Sequence, residues 1–444
     1  MSTSDATGHD DQDRDRSRGR AKVRRQVTEL SRTAHDPALR RQAARSIAHR
    51  YQARTEQRIG TVSQHGGAHV LAVEGELVAT RATWDDPGAR GYLEARGLRR
   101  VRADLGGIAD RVVLLRASEV TLDDLDDTVA ELRLRGFAAS QNQVMPCDPV
   151  MKNLGGPALA PPLAPFDHEP APDAPHVAVV DTGIDGRARG DGRLSSVTRH
   201  RKGADQNIDP LDIEPGDGFL DLCAGHGTFV AGVVERVAPA ARISVHRALL
   251  GGGVGSEVDV AKAIVRAARL GADVINLSLG SNTRFDQPSL AVEAALDVLE
   301  SIEEETGREI LVVAAAGNTG DTRPVWPAAF RNVVAVAGLT PDGRAAPWSS
   351  HGFWVDCSAV AEGIHAPFVR GRESYEFTGE PDDFPADAFA WWSGTSFAAP
   401  QVAGAVAALM HEHGIGSRRA FARLRATGTP LPDYGRALRI LEGL

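Results

Sequence analysis

Apolar residues change their spacing along the 444-residue chain, and each change predicts a different kind of structure. Residues 1–20 are polar and low in complexity, so they predict a disordered polar tail. In residues 21–62, apolar side chains recur every three or four positions, which predicts a helical extension. Asp36 followed by Pro37 marks the start of one helix, because Asp caps a helix N-terminus and Pro fits its first turn.

Residues 68–145 predict a small α+β domain. Short apolar strands and amphipathic helices alternate there in the order β-α-β-β-α-β, which is the split, ferredoxin-like arrangement. The strands are predicted at 69–73, 101–104, 111–115 and 137–144, and the helices at 87–96 and 122–134.

Nine prolines between residues 146 and 175 predict a linker and a domain boundary. Beyond it, residues 176–444 alternate nearly continuous apolar strands with helices. Because such strands are buried on both faces, this region predicts an α/β domain with a parallel sheet and helices on both sides. The strands are predicted at 177–180, 242–246, 274–279, 310–316 and 332–336, and the helices at 228–237, 257–270, 289–306 and 395–410.

Composition bears on location rather than on fold. The chain has no apolar run of about 18 residues, which a membrane span needs, and its first residues lack the apolar core of a signal peptide. Cys147, Cys223 and Cys357 lie far apart, which argues against a disulfide or metal framework. These features favour a cytoplasmic protein, with secretion by an unrecognised route as the alternative.

The net charge of −9 is unevenly distributed along the chain. Residues 1–60 carry 14 Lys and Arg against 8 Asp and Glu, so this arm is basic and the remainder is acidic. A basic arm can contact nucleic acid or an acidic partner. The interspersed acidic residues and the single aromatic residue, Tyr51, favour a solvated helical extension instead.

Four polar residues stand where an α/β sheet places its functional groups, beyond the carboxyl ends of strands and at the mouths of helices. Asp181 follows the strand at 177–180, and Asn318 follows the strand at 310–316. His226 lies between two glycines at a helix start, and Ser396 opens an Ala-rich helix. Taken singly, they are also explained as a turn Asp, a loop Asn, a core His and a helix cap.

Taken together, Asp181, His226 and Ser396 in this order, with Asn318 between the last two, resemble the subtilisin-like serine proteases over about residues 177–440. The segment Trp326-Pro327-Ala328-Ala329 is also similar to that family's pattern. The resemblance implies a serine endopeptidase in which Ser396 is the nucleophile, His226 the base and Asp181 its orienting acid. It also implies that Asn318 stabilises the oxyanion.

The same resemblance implies where substrate binds and what the N-terminal domain does. Ser278, Leu279 and Gly280 resemble the strand beside the S1 pocket, and Gly252 and Gly253 resemble the opposite edge. The domain at 68–145 is similar to the family's inhibitory propeptide, which assists folding and plugs the cleft with its tail. We expect either self-processing within the linker or permanent regulation by a tethered domain.

Some positions depart from the family pattern. Residues 233–239 run straight through where many members insert a calcium loop, so we expect no cofactor. Calcium binding elsewhere stays open, because the acidic residues of one loop region are possible ligands: Asp205, Asp209, Asp212 and Asp217. Phe229 replaces the second His that often follows the catalytic one. We predict that Cys223 is a small buried residue near the cleft, and the alternative is that its thiol is redox-sensitive.

The expected partners are a peptide or protein substrate and the chain's own N-terminal domain, without a membrane or nucleic acid. A second hypothesis from another class is a catalytically quiet binding or scaffold protein built on a protease fold. The four intact residues argue against it, since a decayed enzyme would be expected to lose at least one of them.

Overall fold

The computed structural model describes residues 5–52, 58–63, 69–147, 156–164, 169–171, 173–203, 205–213, 216–250, 252–375 and 381–444. Within these ranges, no helix is long and apolar enough to cross a membrane.

Two consecutive helices open the described chain, α1 (Asp5–His35) and α2 (Pro37–Gln52). Asp36 lies between them and accepts a hydrogen bond from Ala38 N over 2.8 Å, as expected for a helix start. The predicted disorder is wrong for residues 5–20, because α1 continues through them; residues 1–4 lie outside the described ranges. The end of this stretch packs against the α/β domain, where Gly19 lies directly against the indole of Trp391.

The α+β domain follows, and its antiparallel sheet confirms the predicted class. The strand order is β3-β4-β2-β5, and β1 also pairs with β2. The elements are β1 (Ile59–Ser63), β2 (His69–Thr80), α3 (Arg81–Asp85), α4 (Pro87–Ala95), β3 (Arg99–Arg100), β4 (Val112–Arg116), α5 (Leu122–Leu134) and β5 (Ala139–Pro146).

Two details of the prediction are wrong in this part of the chain. The helical extension predicted to residue 62 gives way to strand β1, because Ile59 is buried beside Leu71 and Val73 of the neighbouring strand. The strand predicted at 101–104 lies two residues earlier, as β3.

The remaining elements form the predicted α/β domain. Its strands are β6 (Ala158–Ala160), β7 (His176–Asp181), β8 (Arg242–Arg247), β9 (Val254–Ser256), β10 (Val274–Leu277), β11 (Leu311–Ala315), β12 (Val333–Leu339), β13 (Cys357–Val360), β14 (Ile364–Pro367), β15 (Gly371–Arg372), β16 (Asp383–Phe384), β17 (Phe389–Trp392), β18 (Thr429–Leu431) and β19 (Gly435–Ala437). Its helices are α6 (His226–Val237), α7 (Glu257–Arg269), α8 (Leu290–Thr306), α9 (Ala399–His413) and α10 (Ser417–Thr427).

The central sheet has the order β18-β19-β13-β12-β11-β10-β7-β8, and it is parallel from β19 to β8. Its strands are buried and carry helices on both faces, which confirms the predicted α/β fold. The sequence missed the pairing of β13 with β19, because β19 is a three-residue strand with little apolar pattern.

The segment predicted as a Pro-rich linker is partly built into the α/β domain. Strand β6 pairs antiparallel with β17, which in turn pairs with β14. Residues 148–155, 165–168 and 172 of the linker lie outside the described ranges. The predicted linker thus contains one short strand, β6, that pairs within the α/β domain.

The two domains share one continuous run of backbone pairing. Strand β5 of the α+β domain pairs antiparallel with β9 of the α/β domain, with Val144 opposite Ser256 and Pro146 opposite Val254. Met145 is fully buried within the apolar cluster that also contains helices α7 and α8. The end of β5 thereby reaches the edge of the α/β domain where the candidate site lies.

Candidate active site

An acid–base pair lies at the carboxyl end of β7. Both carboxylate oxygens of Asp181 contact His226 Nδ1, at 2.8 and 3.0 Å, and both side chains are buried. Gly225 precedes the His in a left-handed conformation (φ 78°), and a side chain there would overlap Val369. Because its Nδ1 faces the carboxylate, the imidazole is held in one orientation with Nε2 available for proton transfer.

A second buried carboxylate supports this pair, and the sequence reasoning missed it. Asp209 accepts hydrogen bonds from Thr182 Oγ1 over 2.8 Å and from Gly225 N over 2.9 Å. Gly227 N in turn donates to Thr182 Oγ1 over 3.1 Å. Burial raises the pKa of Asp209 to about 6 despite these donors. The buried Asp209 thus connects the segment that follows Asp181 to the segment that precedes His226.

Ser396 lies in a short 3-10 turn, Thr395–Phe397, just before α9. Thr395 donates from both N and Oγ1 to Asn318 Oδ1, each over 3.0 Å. Gly317 N donates to Thr395 Oγ1 over 3.0 Å. These bonds fix the orientation of the Asn318 amide beside the Ser396 turn.

Aromatic rings bring His226 and the Ser396 turn together. The imidazole packs at 5.3 Å from the ring of Phe397 and at 5.5 Å from that of Trp392. Phe229 packs against the same two rings, at 4.7 and 5.5 Å. Phe229, which stands where the family often has a second His, therefore fills the apolar side of the site.

The chain itself occupies the space in front of Ser396. Ser396 Oγ donates to Cys147 O over 3.0 Å and lies 3.3 Å from Ser278 O. Within the described residues, His226 Nε2 has no hydrogen-bond partner. The serine hydroxyl therefore donates to a peptide carbonyl of the segment that follows β5 rather than to the imidazole.

Backbone edges on both sides hold that segment. Gly280 N donates to Pro146 O over 3.0 Å, and Cys147 N donates to Gly253 O over 2.8 Å. On the first edge, Ser278 Oγ donates to Ser396 O over 2.7 Å, which joins the edge to the Ser396 turn. Pro146 and Cys147 thus lie as an added strand between the two edges that the sequence singled out.

The other predicted substrate residues have different surroundings. Leu279 is 1% exposed and packs in the apolar cluster beneath the strand. Gly252 is half-buried in the turn before β9.

The acidic residues left open as calcium ligands are engaged by their own surroundings. Gly218 N donates to Asp212, Phe219 N donates to Asp217, and Arg266 pairs with Asp205. In the described part of the chain, no group of three His, Cys, Asp or Glu residues is arranged to hold a metal ion. Helix α6 runs through residues 233–237 without an inserted loop.

Comparison with known proteins adds a family to this geometry. A model described as "Subtilase family" matches residues 173–428. The thermophilic serine proteinase of Bacillus sp. (strain AK1) is 34% identical over 249 residues, which cover 54% of this chain and 52% of that protein. Thermitase from Thermoactinomyces vulgaris is 30% identical over 269 residues, covering 58% of this chain and 82% of that protein. The chain thus matches about half the length of the first relative and most of the second.

A solved structure is similar over more of the chain. The crystal structure of fervidolysin from Fervidobacterium pennivorans, described as a keratinolytic enzyme related to subtilisin, matches with a TM-score of 0.58 at 21% identity. The matched region covers 83% of this chain and 60% of the fervidolysin chain. At this identity the likeness supports the fold.

Proposed function

The chain belongs to the subtilase family, and we propose that it is a serine endopeptidase acting on peptides or proteins. The observation that carries the proposal is the buried Asp181–His226 pair beside Ser396, whose hydroxyl already faces a peptide carbonyl. Neither a helix cap nor a core histidine needs this combination.

In the proposed reaction, Ser396 Oγ attacks the scissile carbonyl while His226 Nε2 takes its proton. The imidazolium then gives that proton to the leaving amine, and water repeats the sequence to release the acid. Asp181 holds the ring orientation and stabilises the imidazolium. The developing oxyanion accepts hydrogen bonds from Asn318 Nδ2 and from Ser396 N, and loss of one such donor costs about 3–4 kcal/mol of barrier.

We propose that substrates bind as an added strand between Gly253 and Gly280, as Pro146 and Cys147 do in the chain itself. Backbone hydrogen bonds give such binding its affinity with little dependence on sequence. Side-chain selection then falls to the pockets beside the strand.

We also propose that the α+β domain is an intramolecular inhibitor. Its last strand continues into the cleft, and the Cys147 carbonyl engages the Ser396 hydroxyl. Further along the chain, Gly156 O accepts a hydrogen bond from Gln26 Nε2. If the chain processes itself, the cut therefore falls after Cys147 and before Gly156.

A fluorophosphonate probe tests the proposed activity, because it labels only a serine activated by its base. We expect labelling of the native chain and none of Ser396→Ala. Failure of the native chain to label after its α+β domain has left the cleft would favour the scaffold hypothesis.

Intact-mass measurement tests the proposed processing separately. Fragments that meet between residues 147 and 156 are expected in the native chain and absent from Ser396→Ala. A native chain that labels but keeps its full mass would mean that the domain is a permanent regulator.

A further inference from the structure

Helix α1 contributes side chains to the interior of the α/β domain. Leu30 and Ala34 belong to the same apolar cluster as Val177 of the central sheet. Val23 packs with Trp391 in a second cluster formed with β6 and β17. The N-terminal helix is therefore built into the domain that carries the nucleophile.

Gln26 is the polar centre of this contact, and its side chain is 2% exposed. Its Nε2 donates to Gly156 O over 2.8 Å and to Trp391 O over 3.1 Å. Its Oε1 accepts from Ser393 Oγ over 2.8 Å. Both ends of a buried amide are thus matched, and removing it would leave buried partners unsatisfied.

The bonds of Gln26 act on the strand that leads to the nucleophile. Ser393 lies three residues before Ser396, and its Oγ also accepts from Gly363 N over 3.0 Å. At the other end of this short segment, Asn318 holds Thr395. The Ser396 turn is therefore held by the oxyanion donor on one side and by the N-terminal helix on the other.

We propose that α1 is a permanent part of the catalytic unit and that Gln26 is a positioning residue for the Ser396 turn. The proposal rests on the proposed endopeptidase function. Because Gln26 bonds Gly156, it joins the chain before the expected cut to the chain after it. The N-terminal fragment then stays bound after processing, and full activity requires that the α+β domain leave the cleft while α1 stays.

The test compares processed Gln26→Ala with Thr28→Ala, an exposed position on the same helix. We expect Gln26→Ala to lower kcat and the fluorophosphonate labelling rate about ten- to hundredfold, as a slightly misplaced nucleophile does. KM should change little, because the substrate edges are untouched, and Thr28→Ala should match the native enzyme. The double variant Gln26→Ala/Ser393→Ala should lose less than the two single losses combined, since the two changes share the Gln26–Ser393 bond.

Native labelling rate and kcat in folded Gln26→Ala would overturn the proposal. So would an active native enzyme whose intact mass lacks α1, a measurement that needs no variant to fold. Absence of labelling in the native enzyme would instead remove the endopeptidase function, and this inference with it.

A different observation carries a second proposal. Cys147, in the segment that fills the cleft, places its Sγ 2.8 Å from Sγ of Cys223, and both side chains are buried. Cys223 lies three residues before His226, whose N donates to Cys223 O over 3.1 Å. Gly253 makes room for the pair, since a side chain there would overlap both sulfur atoms.

We infer that these two thiols form a redox latch on the cleft. With a hydroperoxide as oxidant, one thiolate attacks the peroxide oxygen to give a sulfenic acid and the alcohol or water. The second thiol attacks the sulfenic sulfur and releases water, so two thiols and one peroxide give one disulfide. The bond ties Cys147 beside His226, which keeps the cleft filled even after the backbone is cut.

Peroxide treatment of the processed enzyme, followed by disulfide mapping and activity assays, tests the latch. We expect a Cys147–Cys223 linkage, loss of most activity, and recovery on adding a dithiol. Cys147→Ser should resist this inactivation, whereas Cys357→Ser, a core cysteine on β13, should behave like the native chain. A peroxide-treated enzyme without the linkage, or equal inactivation of Cys147→Ser, would overturn the latch.

Discussion

Two parts of the N-terminal region contact the α/β domain in different ways. Helix α1 inserts side chains, among them Leu30 and Gln26, into the domain's interior. The end of β5 buries one side chain, Met145, and is otherwise held through its backbone, with Pro146 and Cys147 bonded to the two cleft edges. Side-chain burial depends on the particular residues, whereas backbone pairing accepts many extended sequences. The first contact suits permanent attachment, and the second suits an occupant that a substrate can replace.

The largest effect is expected from Ser396→Ala, which tests whether the β5 tail lies in a catalytically active cleft. Peptide hydrolysis should fall by about 10⁶-fold, the scale of losing a triad serine in this family. Because no cut can then form, mass spectrometry should find the chain intact with both contacts retained. Trimming of this variant at the native position would show that another protease cuts the tail.

Asn318→Ala is expected to have the next largest effect. Removing one oxyanion donor should lower kcat by about 10²–10³-fold. If the tail lies in the cleft as a substrate does, self-processing should slow by a similar factor. Unchanged processing with slow peptide hydrolysis would mean that the tail and substrates use different geometries.

The contrast between permanent attachment of α1 and replaceable attachment of the β5 tail is tested by Leu30→Ala and Met145→Ala. Leu30 is 3% exposed in the main core, so its truncation should lower the free energy of unfolding of the processed enzyme by about 2–5 kcal/mol. Met145 belongs to the tail, so its truncation should speed activation instead. Denaturant unfolding and activation time courses measure the two effects, with exposed Leu134→Ala as the control. Equal destabilisation of the processed enzyme by both changes would contradict the claim that α1 and the β5 tail are attached differently.

The sequence predicted the α/β fold and the four central polar residues because each has a local signature. Asp181 and Asn318 end buried strands, while His226 and Ser396 stand beside glycines at helix starts. Such patterns are visible within a few neighbouring positions. Gly253 and Gly280 were found only through the family resemblance, since their roles depend on backbone edges.

The contacts that the sequence did not predict join residues far apart in the chain. Gln26 lies on the face of α1 that Val23 and Leu30 mark, but its partner Ser393 is 367 positions away, so the contact has no local signature. Asp209 is predicted only as a possible calcium ligand, although its neighbours Ile208 and Leu211 are apolar and signal a buried loop. The pairing of Cys147 with Cys223 follows from the path of the tail through the cleft, which only the folded chain defines.

The smallest expected effect is that of pH on the contact between the α+β domain and the α/β domain. Glu257, at the start of α7, is fully buried where the two domains meet. It accepts hydrogen bonds from Ser140 Oγ and Gln143 N of the α+β domain, and from Ser289 Oγ and Ala291 N of the α/β domain. Burial outweighs these donors and raises the pKa of Glu257 from 4.5 to about 7.

A carboxyl group with a higher pKa in the closed state favours closure when it is protonated. The closed state should therefore be most stable below pH 4.5, lose stability as pH rises towards about 7, and level off above that. One such group changes the equilibrium by at most about tenfold per pH unit within this window. Residual inhibition of the processed enzyme across the window measures the effect. Glu257→Gln keeps a similar shape without a titrating proton, so its profile should be flat, and a native profile equally flat would exclude Glu257 as the pH-sensitive group.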